Sequence, residues 1–72
     1  MNARVARGNP LRAVVSGVDP GRTLVSYLNQ WGLALAKDKG TVTNITWLQG
    51  VQSIGLEFDT EEHCTEAVSR IG

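Results

Sequence analysis

With a single cysteine, Cys64, the chain cannot close an internal disulfide, so its folding does not depend on an oxidising compartment. It has no uninterrupted apolar run approaching the roughly 18 residues that suggest a membrane span. The amino terminus, MNARVARGNP, is basic but has no apolar stretch behind it, so we expect it not to be a secretory signal. We therefore expect an intracellular protein, nuclear or cytoplasmic, with no membrane partner. Net charge is also missing: seven Lys and Arg balance seven Asp and Glu. The uniform basic field that usually marks a nucleic-acid-binding domain is absent.

What charge there is, is segregated. Residues 1–40 hold six bases (Arg4, Arg7, Arg12, Arg22, Lys37, Lys39) against Asp19 and Asp38, while residues 41–72 hold Arg70 against five acids. The two halves carry +4 and −4. At 72 residues and 42% hydrophobic, the chain has material for one small core, and a domain of this size has a thin stability margin.

Gly8-Asn9-Pro10 is a breaker cluster, and residues 1–10 read as a basic flexible arm ahead of a domain spanning 11–72. Leu11 to Val18 (LRAVVSGV) is a strand by its β-branched content. Asp19-Pro20-Gly21 stops it and opens a helix, with Asp19 as cap and Pro20 in the first turn. Leu24, Leu28, Trp31 and Leu35 fall on one helical stripe with Tyr27 beside them. Gly32 interrupts that stripe at a cost of about 1 kcal/mol. The favoured reading runs one helix from about Gly21 to Lys37 or Asp38, and the alternative stops it at Gly32. Thr41 to Leu48 is a second strand, Gln49-Gly50 a tight turn, and Val51 to Phe58 the return strand of a hairpin. Ile54, Leu56 and Phe58 alternate with Ser53, Gly55 and Glu57, so one face is core. Asp59 and Glu62 fit a capping box before a last helix with Cys64, Ala67, Val68 and Ile71 on its apolar stripe.

The resulting order, β-α-β-β-α, is five sixths of the ferredoxin-like split βαβ unit, an α+β two-layer sandwich. Its fourth strand is absent or supplied from elsewhere. Without it, Leu11 to Val18 would be a bare edge with one charge and no proline, a poor edge by the usual standards. Something should cover it: residues outside the chain, the segment Ala3 to Arg7, or the same strand of a second copy. A homodimer or a protein partner at this first-strand edge is the favoured expectation.

Within this architecture the sequence resembles the RNA recognition motif (RRM) family. AVVSGVDP is similar to that family's first-strand motif and following turn, and IGLEFDTEEHCTEAV to its third-strand motif running into the second helix. The resemblance covers about residues 11 to 71. It implies single-stranded RNA binding on the sheet face, where bases stack on aromatic rings from the first and third strands. Here Val14, Ser53 and Gly55 stand where those rings would be, and Val51 replaces the usual basic residue. Stacking is worth about 1–3 kcal/mol per base, so this RRM-like module, expected as one piece of a larger nucleic-acid-associated protein, should contact proteins or itself rather than bases, with weak RNA binding through the arm and sheet as the alternative. Its candidate contact residues are Arg4, Arg7, Arg12, Val14, Ser53 and Gly55, with Trp47 as the one ring that could replace a stacking platform. Trp47 shares parity with Ile45, however, and reads first as core, as does Trp31.

Chemistry finds little support. Adjacent His63 and Cys64 point apart on a helix, and one Cys with one His falls short of the roughly four ligands of a zinc site. Glu61, Glu62 and Glu66 form a solvated acidic face. No phosphate loop and no nucleophile arrangement can be drawn. We expect no enzyme activity, no metal and no cofactor. One further reading comes from GVDPGRTLVSYLNQWG, which resembles the glycine-containing loop and helix of ACT-like small-ligand regulatory domains.

Overall fold

Alternation along the strands divides the sheet into a covered and an open face. In the computed structural model, which describes residues 1–50 and 52–72, four strands and two helices form: β1 Asn2–Val5, β2 Arg12–Ser16, α1 Leu24–Trp31, β3 Val42–Leu48, β4 Ser53–Phe58 and α2 Glu61–Ile71. A 3-10 turn, Ala36–Asp38, lies between α1 and β3. The strands are ordered β1-β2-β4-β3 and every neighbouring pair is antiparallel. The result is an α+β fold with a four-stranded antiparallel sheet.

The core forms where alternate strand residues meet the helix stripes. Ala13 and Val15 of β2 and Ile54, Leu56 and Phe58 of β4 are buried together with Tyr27, Leu28 and Trp31 of α1 and Cys64 and Ala67 of α2. The hairpin of β3 and β4 therefore pairs as the sequence indicates, with Ile54, Leu56 and Phe58 beneath the helices. Val51, the expected first residue of the return strand, lies outside the described residues.

The amino-terminal segment departs from the favoured expectation and follows the alternative in which the chain's own first residues cover the first-strand edge. It is not a detached arm: Asn2–Val5 pairs with β2 in the register Asn2–Ser16 to Val5–Ala13, and Ala3 enters the core. Gly8-Asn9-Pro10 is the turn of this hairpin. Ala6 donates to the Arg12 carbonyl, the Asn9 side chain accepts from Leu11, and Gly8 has φ of 77°. The edge of Leu11 to Val18 is thus covered from within the chain, and no free ladder is left there for a second copy or another protein. β2, α1 and β3 form a crossover that straddles β4, and α2 packs on β1 and β4. The carboxyl end of α2 meets the start of β1: a Cβ on Gly72 would lie 3.5 Å from the Met1 carbonyl oxygen.

The first helix is shorter than the favoured reading. Thr23 rather than Asp19 is its cap, accepting from the Ser26 N–H at 3.0 Å. Gly32 ends it in the left-handed conformation at φ 69°, with Leu33 donating to the Leu28 carbonyl. Local glycine geometry wins over the apolar stripe because Leu33 and Leu35 reach the core without helical backbone. Thr60 likewise caps α2, one residue after the expected Asp59.

Candidate functional site

Five of the six expected contact residues share the open face of the sheet. The register aligns Arg4, Val14, Gly55 and Thr46 in one row across β1, β2, β4 and β3, and Arg12, Glu57 and Asn44 in the row beside it. Ser16, Ser53 and Leu48 make a third row. Arg7, the sixth expected residue, lies in the β1–β2 turn, and with Arg4 and Val14 it borders a hollow of about 500 Å³.

Arg12 organises the middle of this face. A Cβ on Gly55 would meet the Arg12 Nη2 at 2.6 Å and the Leu48 Cδ2 at 3.3 Å. The guanidinium therefore lies down over the bare glycine, and Gly55 and Ser53 are buried although they face the open side. Ser53 donates to the Ser16 hydroxyl at 3.4 Å. Glu57 approaches the Arg12 Nη1 at 3.7 Å and accepts from Asn44 at 3.4 Å. With side chains 29% and 39% exposed, Arg12 and Glu57 form a long, solvated pair, a class of contact worth little. Arg4, Arg7 and Arg12 thus outnumber Glu57, and none of the described aromatic rings stands on this face.

Trp47 is on the other side. It sits opposite Ile54 in the ladder, half-buried, and meets Tyr27 edge-on at 6.4 Å between centroids. Its expected alternative role as a stacking platform on the open face is lost with that register. Trp31 stacks on Tyr27 at 5.2 Å, and Arg22 lies over the Tyr27 ring at 4.2 Å. Trp31 belongs to the core, with an indole N–H that has no partner among the described residues.

His63 and Cys64 diverge on α2. The His63 Nδ1 meets the Asp59 carboxylate at 2.7 Å, which raises the imidazole pKa above its ordinary value and lowers that of the carboxyl. Cys64 is fully buried, and burial pushes its thiol pKa up, away from the reactive thiolate. Among the described residues no group of three His, Cys, Asp or Glu gathers as a metal site. No described helix is long and apolar enough to cross a membrane.

A second depression, of about 360 Å³, separates α2 from the segment 32–41 and is bordered by Lys39, His63, Glu66 and Arg70. Arg70 lies across the carboxyl end of α1, where its Nη2 would be 2.9 Å from a Gly32 Cβ. A cation is favourable beside that end of the helix dipole, so the position has a structural explanation.

The sequence offered Ala3 to Arg7 only as one of three covers for the first-strand edge and did not favour it, since Asn2–Val5 has only one β-branched residue. The alternation of Asn2 and Arg4 against Ala3 and Val5 was the available signal, at its shortest useful length. Compared with known proteins, the chain matches no family model, no curated protein and no solved structure.

Proposed function

We propose that the chain is a non-catalytic binding module of rearranged ferredoxin-like design, in which β1 takes the place of the missing last strand. Its open face takes single-stranded nucleic acid weakly, through the phosphate backbone. The observation that carries this reading is the gathering of Arg4 and Arg12 with Val14, Ser53 and Gly55 on one face, with Arg7 at its rim. The RRM resemblance points to the same surface. Without rings to stack on, phosphate contacts supply nearly all the affinity, and such binding falls steeply with salt.

The pairing of β1 with β2 favours this over the self-contact expected at the first-strand edge, because that contact needed a free ladder. An ACT-like ligand loop is less supported. Gly17 and Val18 already donate to the Gln52 carbonyl, Asp19 donates to the Tyr27 hydroxyl, and the Asp19 carboxylate accepts from Gly21.

Labelled homopolymers titrated at two salt concentrations test the proposal. Binding should be weak, indifferent to base and lost at high salt. Arg4→Ala or Arg7→Ala should weaken binding to all homopolymers alike and flatten the salt slope by about one unit. Glu57→Gln should strengthen it by releasing Arg12. A tight, base-selective complex that survives high salt, or no binding even at low salt, overturns the reading.

A further inference from the structure

The sheet has two outer strands, and they are unlike. β1 is four residues long and carries Arg4, devices that blunt an edge against pairing. β3 is seven residues long (VTNITWL), with no charge and no proline. Its first rung is closed internally, since Val42 donates to the Ala34 carbonyl and bridges Leu35. The rest is open. Phe58 donates toward β2, to the Leu11 carbonyl, and backbone groups alternate in direction along a strand. Glu57, Gly55 and Ser53 therefore address β3, and their partners Asn44, Thr46 and Leu48 turn inward. Ile45 and Trp47 turn their N–H and C=O outward, at the end of the sheet order.

We infer that β3 pairs antiparallel with β3 of a second copy, about a two-fold axis at Thr46. This is the register in which the outward groups match. Ile45 lies opposite the partner's Trp47, Trp47 opposite the partner's Ile45, and the two Thr46 residues face each other. Each of these three side chains then meets a favoured neighbour. Ile45 and Trp47 are half-buried on the helix side and make two β-branched–aromatic pairs, while the exposed threonines pair on the open face.

A second copy fits better than an unlike partner because the strand is uncharged and self-complementary in this register. Glu57 meets Asn44 from the covered, β4 side of the strand, and beyond the ladder Lys37, Asp38 and Lys39 flank only its first end. The antiparallel arrangement sets them beside the partner's uncharged Gln49 and Gly50 instead of against themselves. Two chains so joined form one eight-stranded sheet and double the length of the open face.

Sedimentation of the full chain over a wide concentration range tests this. The mass should move from one chain to two, and the amide exchange of Ile45 and Trp47 should slow as concentration rises. Thr46→Lys and Thr46→Glu each place like charges opposite on the axis, at an exposed position that circular dichroism should report as still folded. Each variant alone should remain a single chain, and an equal mixture should return to two. One chain at every concentration, a dimer indifferent to both substitutions, or a mixture that fails to pair overturns the inference. Should both variants unfold, concentration-independent exchange at Ile45 and Trp47 in the unsubstituted chain overturns it just as well. An edge that takes up added extended peptides while two copies never pair assigns it to a different occupant.

Discussion

Leu56 has no exposed surface and lies between Ala13 and Ile45 in the ladder. Leu56→Ala should cost about 2–5 kcal/mol, as truncations of buried leucines do, a large part of a small domain's stability. A chemical-denaturation midpoint that does not move would place Leu56 outside the core. Its parity was legible because Ile54, Leu56 and Phe58 alternate with small or polar neighbours. The same parity carried Ser53 and Gly55 to the open face, and Val14 by way of the antiparallel pairing. What parity alone could not show is that Arg12 fills the space over Gly55, since that depends on which strand neighbours which. His63 adds a pH-dependent contact. Its folded pKa is raised by Asp59, so its contribution is complete below about pH 6.5 and is lost as pH rises through the raised value. The Asp59 pKa is lowered by His63, so its share is present above about pH 3.9 and is lost as pH falls through the lowered value. Both conditions hold near pH 5. His63→Gln should therefore lower the denaturation midpoint more at pH 5 than at pH 9. Equal effects at the two pH values would show that the ion pair contributes nothing.

The elements divide by how much local signal each carries. β2, β3, β4 and α2 were legible from β-branched runs, strict alternation and an apolar stripe. Two others turned on tertiary context. β1 is a strand because β2 offers an unpaired ladder and α2 covers Ala3, neither of which is visible in NARV. α1 stops at Gly32 although leucines continue the stripe, because the chain must fold back to place Ala34 and Leu35 along Val42. Gly40 makes that return feasible. A Cβ there would fall 1.9 Å from the Ala34 carbonyl oxygen, and the colliding atom is backbone. Gly40→Ala should cost at least the 1–3 kcal/mol or so typical of overpacking, whereas Gly8→Asn, in an open left-handed turn, should cost far less because asparagine tolerates that conformation. Thermal melts of the two variants give the comparison, and similar values would show that residues 32–40 pack differently.

Across the whole molecule, the segregated charge acquires a location. Arg4 and Arg12 lie on the open face and Arg7 on its rim, while Glu61 and Glu62 open α2 in the covering layer, where the helix dipole favours them. A chain of zero net charge can therefore still present a basic surface to a polyanion. The connectivity allows a stricter test of the architecture. With β1 placed after α2, the elements would run β-α-β-β-α-β, the order of the split βαβ unit. Gly72 already lies against Met1, and the β1–β2 turn around Gly8 is exposed. A permuted chain that starts at Asn9, joins Gly72 to Met1 through a short glycine linker and ends at Gly8 would keep every strand pair and both helix contacts. Only the connections change: β1 loses its short tie to β2 and gains one to α2. Loop-closure cost varies slowly with length, so the two changes nearly offset, and the permuted chain should fold with a stability within about 2 kcal/mol of the original. Urea denaturation followed by circular dichroism would measure the difference. An unfolded permutant would mean that β1 depends on its hairpin turn for its place in the sheet, whereas a folded one locates that place in the ladder with β2 and the cover from α2.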